Sequence, residues 1–303
     1  MRHLIALLLI GLGTLPGWAH ARLNVITTTQ DSAAIVQAVG GEHVRVQSLT
    51  LGARDPHFAE ATPSMIRQVY QADLLVLIGA DLEIGWLPPL LETARNGRVL
   101  PGAAGYLDLS ASLALLDKPT GPVSRAQGDV HVRGNPHYWL APRNGLRMAQ
   151  AIGARLSELD PPHAADYRAR LAAFQRELER RQPVWQAQLA PLIGKPVIAY
   201  HKSFVYLADA FGLRIVAEVE PKPGIPPNAA HLQQLIETIR AQKIGVLIME
   251  PYYERRSAEY LARETGIKLA VLPQSVGAQP NISTYFDLFD AIVSAFKAAN
   301  ITP

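Results

Sequence analysis

Three of the nine histidines in this 303-residue chain sit in settings suited to metal chemistry. His57 lies in Asp55-Pro56-His57-Phe58, His137 in Gly134-Asn135-Pro136-His137-Tyr138-Trp139, and His201 directly after the apolar run Val197 to Tyr200. Two of them follow a proline, which stiffens the backbone that carries the ring. A lone histidine in a loop is usually a surface residue; three in such settings open a metal site as one reading beside the surface one. Neutral imidazole suits zinc, copper, nickel and iron, and three rings leave one position for a further donor or water. The other histidines read more plainly. His3 and His20 fall in a leader, and His43, His163 and His231 sit beside helix or strand starts as surface or capping residues. His131, with Asp129, precedes His137 by a few residues and reads as a surface loop, or at most a weak accessory site. The chain has no cysteine, so any ion must be held by nitrogen and oxygen.

Three histidines and an open position also describe a hydrolytic zinc centre, where bound water is the nucleophile. The chain contains no H-E-x-x-H, no G-x-S-x-G and no glycine-rich phosphate loop, so a non-enzyme is expected. A zinc-dependent hydrolase with Glu250 as base is the alternative. A binder of a metal chelate is another, but it needs a wide aromatic cleft, and the patterns around Trp86, Trp139 and Trp185 fit core packing. The net charge of +3 is scattered without a basic run, which gives no footprint for nucleic acid.

The elements that must position these residues alternate between strand and helix. Before them comes a leader: Arg2 and His3, the apolar run Leu4 to Ile10, then Ala19-His20-Ala21. That pattern predicts a cleavable signal peptide over residues 1–21 and a mature chain starting near Arg22. No cysteine follows to carry a lipid, so a soluble periplasmic protein without an anchor is expected. No other stretch approaches the roughly 18 apolar residues that a membrane span needs.

Residues 22–142 read as an N-terminal α/β lobe. Leu23 to Thr29 and His43 to Leu51 are strands, Asp31 to Val39 a helix capped by Asp31 or Ser32, and Pro63 to Ala72 a helix capped by Thr62. Asp73 to Gly79 is an unbroken apolar run, the mark of a strand buried on both faces of a parallel sheet. Residues 194–303 repeat the plan, with the buried strand at Ile244 to Met249. Between the lobes, residues 143–183 have helical period and a break or kink at Asp160-Pro161-Pro162. A helix of that length would span about 55 Å as a stiff connecting strut. The expected fold class is therefore α/β: two similar lobes with parallel sheets, joined by a long rigid helix, with a cleft beyond the strand ends.

Asp55-Pro56-His57 followed by Thr62-Pro63-Ser64, then Asn135-Pro136-His137-Tyr138-Trp139-Leu140-Ala141-Pro142, then Tyr200-His201-Lys202-Ser203-Phe204 with Tyr206-Leu207, resembles the zinc- and manganese-binding cluster of ABC-transporter substrate-binding proteins. The joint order and spacing carry the resemblance, which extends over essentially all of the chain after the leader, including Met249-Glu250-Pro251. It implies two α/β lobes joined by a rigid helix, with a divalent metal held between them and handed to an inner-membrane ABC permease; a monomer is expected. It also implies that His57, His137 and His201 are the ligands.

The fourth ligand departs from the family pattern. An Asp usually follows the last strand there; here the stretch is Leu272-Pro273-Gln274-Ser275, and an amide is a poorer donor. Glu250 ends a strand expected beside the one that leads to His201, and it is the expected fourth ligand. A salt bridge to Arg255 or Arg256 is its other reading. Gln274, Glu60 and water are the alternatives. Nitrogen donors favour zinc and the later metals over manganese, so Zn2+ is the expected cargo, with Mn2+, Cu2+ or Ni2+ as alternatives.

Overall fold

The computed structural model describes residues 22–123 and 128–302. The expected leader, residues 1–21, lies outside the described residues.

The N-terminal lobe is a four-stranded sheet in the order β2-β1-β3-β4. Its strands are β1 (Leu23–Thr27), β2 (Val44–Ser48), β3 (Leu74–Leu77) and β4 (Tyr106–Asp108), all parallel. Helices α1 (Gln30–Gly40), α2 (Pro63–Gln71) and α3 (Leu87–Ala94) connect them. The C-terminal lobe repeats this arrangement. Its strands β5 (Pro196–Ala199), β6 (Arg214–Glu218), β7 (Val246–Met249) and β8 (Lys268–Val271) lie in the order β6-β5-β7-β8, again all parallel. Helices α6 (Val205–Phe211), α7 (Ala229–Gln242), α8 (Arg256–Thr265) and α9 (Tyr285–Ala298) complete it. The two apolar runs become β3 and β7, the inner strands of their sheets, and every residue of each is buried. Covering helices on both faces leave those strands no solvent side.

Local signals set most boundaries. Thr62 caps α2 with Pro63 in the first turn, and Thr284 and Asp287 form a reciprocal capping box on α9. Gly212 and Gly266 end α6 and α8 in the left-handed conformation. At α1 the cap is Thr29, not Asp31 or Ser32: its hydroxyl accepts from the Ser32 N–H. Asp31 is instead buried and turned to the other lobe. Its carboxylate accepts from the Ser275 hydroxyl at 2.8 Å and the Val276 N–H at 2.9 Å.

The connecting segment is two helices. α4 (Pro142–Leu159) and α5 (Ala164–Leu189) are separated by a tight turn at Pro161–His163. The chain folds back there, bringing Leu171 of α5 against Gly153 of α4. The rigid connector is thus α5 alone, whose 26 residues span about 39 Å, braced by α4 rather than continuous with it. It runs through Pro183 to Leu189, beyond the end expected from sequence. Tyr167, Phe174, Leu178 and Trp185 form its buried face. Phe174 packs on Phe286 and Trp185 stacks on Phe289, both of α9. One continuous apolar core therefore holds residues of both lobes, with smaller clusters under the outer helices of each.

Candidate metal centre

Each of the three histidines comes from the carboxyl end of a lobe's strands or from the loop between the lobes, where α/β proteins place ligands. His57 lies in the loop after β2, His201 lies two residues past the end of β5, and His137 immediately precedes a short turn over Tyr138–Leu140 that leads into α4. The structure brings all three together. Their ring centroids are 5.0, 5.7 and 5.8 Å apart, and one nitrogen from each lies within 4.8 Å of the others. All three are buried, at 7, 1 and 4% exposure.

Each ring is held from behind. His57 Nδ1 lies 2.7 Å from Asp55 Oδ1, His137 Nδ1 3.0 Å from Asn135 Oδ1, and His201 Nδ1 2.7 Å from Glu220 Oε2. Carboxylate and amide oxygens only accept, so the Nδ1 nitrogens donate and the Nε2 lone pairs are left to face the cleft. His137 Nε2 is buried with no protein partner. Asp55 and Asn135 do this in the same way: each side-chain oxygen also accepts the backbone N–H of the histidine two residues on, at 3.0 Å. The intervening proline fixes the turn that allows it.

The electrostatics suit a dication. Two of the three holders are carboxylates, Asp55 and Glu220, so acidic side chains stand behind the imidazoles. Burial presses the His57 imidazole towards its neutral form, but Asp55, and more weakly Asp129 and Glu83, outweigh it and raise the pKa. His137 lacks a carboxylate; burial and then the neighbouring His57 and His201 push its pKa well below the usual value.

The expected fourth ligand is not in this group. Among the described residues, no carboxylate offers an oxygen within 4.8 Å of all three imidazole nitrogens. Glu250 immediately follows β7, which lies beside β5, and it makes no salt bridge to Arg255 or Arg256; Arg256 pairs with Glu254 instead. Its carboxyl is fully buried and makes no hydrogen bond of ordinary geometry. Burial pushes it up to about 8, a shift that favours the neutral acid and that the nearby Ser203 hydroxyl offsets in part. The Gln274 side chain accepts from the Tyr252 hydroxyl, and its backbone oxygen accepts from Trp139 Nε1 at 2.9 Å. Glu60 is exposed.

The loop read as plain surface is not one. His131 Nε2 lies 3.2 Å from His57 Nε2, and Asp129 Oδ2 lies 3.7 Å from the same atom. His43 and His163 stack on each other far from the cleft, and His231 N–H is taken up by the cap of α7, in line with their sequence reading. Trp86, Trp139 and Trp185 are core residues, buried and each hydrogen-bonded through Nε1.

The sequence profile of a family described as the periplasmic zinc-uptake complex component A matches residues 25–299. A solved structure named ZnuA superposes with a TM-score of 0.76 at 28% identity, covering 93% of this chain and 100% of that one. The zinc-binding lipoprotein AdcA of Streptococcus pneumoniae is 26% identical over 257 residues, 84% of this chain. The chain spans only 50% of that relative's length. The iron-binding protein YfeA of Yersinia pestis is 26% identical over 289 residues, 92% of this chain and 86% of YfeA.

Proposed function

The chain belongs to the family of periplasmic zinc-uptake component A proteins, and on that premise we propose that it captures a divalent transition metal, zinc first, in the periplasm and delivers it to an inner-membrane ABC permease. One observation carries the reading: three buried imidazoles from distant parts of the chain, each held through Nδ1, bring one ring nitrogen apiece within 4.8 Å of the others. The ligands are His57, His137 and His201, with water in the fourth position. An all-nitrogen protein donor set favours zinc over manganese. ZnuA- and AdcA-type relatives are named for zinc, and YfeA for iron.

We assign the units as a leader over residues 1–21, lobes over 22–142 and 194–303, and the helical connector between them. The leader exports the chain, which works as a monomer. A hydrolase is less well served by this site. A general base must reach the metal-bound water, and Glu250 lies outside the imidazole group, with burial favouring its neutral acid.

The test is metal analysis of protein purified without chelators, followed by competitive titration with zinc, manganese and copper. One zinc per chain is expected. Replacing His57, His137 or His201 by Ala should cost more than the about 10–100-fold that an outer partner of a ligand is worth. Retention of zinc by any of these variants at wild-type affinity would remove that residue from the site.

A further inference from the structure

We propose that the three-imidazole site takes up its divalent ion together with a small monovalent anion, which replaces water as the fourth ligand and is held by the side-chain amide of Gln274. The proposal rests on the metal reading above. It adds a second ligand, of the halide or pseudohalide class, and a residue that selects it.

The first premise is charge. Three neutral imidazoles bring no charge to a dication, and tetrahedral coordination leaves one position for a further donor. Among the described residues, no carboxylate reaches all three imidazole nitrogens. Asp55 and Glu220 lie behind the rings, against Nδ1, and act on the ion only from a distance. The ion is then the largest charge in its surroundings, and an anion in the fourth position is favoured over water.

The second premise is the direction of one amide. β5, β7 and β8 end side by side, so His201, Glu250 and Gln274 follow one edge of the C-terminal sheet. Gln274 is 1% exposed, and its carbonyl accepts from Trp139 Nε1, whose ring lies 5.3 Å from that of His137. Its side-chain oxygen is already engaged, since it accepts from the Tyr252 hydroxyl. What remains is Nε2, buried and without a protein partner among the described residues. An amide nitrogen donates and offers a metal no lone pair, so in this orientation Gln274 bonds to the fourth ligand rather than being it. A buried donor left unmatched is costly, and an anion accepts more strongly than water does. His137 Nε2 and Gln274 Nε2 are thus complementary orphans. The ion satisfies the first, and the ion's anion satisfies the second.

A small anion has a way in. A cavity of about 370 Å3 borders His137 and His201, and Lys118 and Lys202 stand in its lining beside Asp117 and Asp129. Its outer wall is pinned across the cleft, where the Asp129 N–H donates to the Pro223 carbonyl at 2.9 Å. The exchange balances simply: the anion enters as the water leaves, and neither proton nor electron moves. Ion and anion then bind cooperatively, so capture of the metal depends on the anion around it.

The test loads the full chain with Co2+ as a spectroscopic stand-in and titrates azide in halide-free buffer. The visible bands should shift and saturate, and chloride should compete. Chelator competition should show zinc held about tenfold tighter once azide stands at about ten times its half-saturation concentration. Without azide, Gln274→Leu should keep zinc affinity within about threefold, but its azide half-saturation should rise about tenfold, the worth of a hydrogen bond to a charged group. Gln274→Asp places a carboxylate in the position, so it should bind zinc more tightly and show no azide shift. A Gln274→Asp protein that answers azide as wild type does overturns the proposal. So does an azide-free loss of zinc above about tenfold in Gln274→Leu, which would make the amide a ligand. If the variants do not fold, the wild-type azide titration decides alone. Wild-type protein that binds neither Zn2+ nor Co2+ overturns the three-imidazole reading as well. Protein that binds both and ignores azide keeps that reading and removes the anion.

Discussion

Glu220 accepts the ring Nδ1 of His201 at 2.7 Å and, with the same oxygen, the backbone N–H of Gly224 at 2.8 Å. It fixes which nitrogen of His201 carries the proton, and it supplies one of two negative charges behind the imidazoles. Glu220→Ala should therefore weaken zinc about 10–100-fold. Glu220→Gln keeps an acceptor without the charge and should fall between Ala and wild type. Chelator competition measures both, and equal affinity in all three proteins would show that the holder is dispensable.

Glu250 gives a prediction of opposite sign. Its carboxyl titrates near 8 in the fold against about 4.3 in an unfolded chain. A raised acid favours the folded state below its unfolded pKa, and that contribution is lost as pH rises through the folded value. Metal-free Glu250→Gln should thus melt higher than wild type at pH 8.5 and vary less between pH 5 and 8.5. Its zinc affinity should stay near wild type. A loss of about tenfold or more would make Glu250 a ligand after all.

Protons compete with the ion for the same lone pairs. The metal-free His57 has its pKa raised because Asp55, Asp129 and Glu83 outweigh burial, so it holds a proton above the ordinary value of about 6.5. A proton bound there must leave before zinc binds, so affinity should fall with acid and begin falling above pH 6.5. His137, lowered by burial, adds competition only at lower pH. Titrations between pH 5 and 8 check this, with proton release read by calorimetry in two buffers. A flat profile would contradict it.

The local half of this site was legible in sequence. Asp55-Pro56-His57 and Asn135-Pro136-His137 carry ligand and holder two residues apart, and the repeated Asx-Pro-His pattern was there to be read as one device. Glu220 stands 19 residues from His201, just past the end of the neighbouring strand, and only the sheet order β6-β5 brings them together. His131 looked like surface because nothing local shows that its loop is pinned across the cleft. Likewise β3 and β7 announced themselves as unbroken apolar runs, whereas the three-residue β4 has too few residues to show a period. Pro161 and Pro162 marked the break between α4 and α5, but the reversal of direction comes from packing on α1 and α9. The connector was expected to end at residue 183, but tertiary contacts of Trp185 and Leu189 carry the helix onward through Pro183.

The last prediction concerns what happens when the ion leaves. The contacts that hold the lobes together do not involve the imidazoles. Asp31 bonds to Ser275 and Val276, Trp139 Nε1 to the Gln274 carbonyl, and the Tyr206 hydroxyl to the Asn135 carbonyl at 2.8 Å. Behind them runs the apolar core shared through α5, which would have to be split for the cleft to open wide. Low-angle scattering from zinc-loaded and chelator-stripped protein should therefore superimpose, and a clear rise in radius on stripping would contradict the shared core. Its strength can be read separately. Trp185, 1% exposed, stacks on Phe289 at 4.9 Å and donates to Asp290 at 2.7 Å. Trp185→Ala should cost about 3–5 kcal/mol. Because the core is common to both lobes, the variant should still melt in one transition at a lower temperature; two separate transitions would mean that the lobes fold independently.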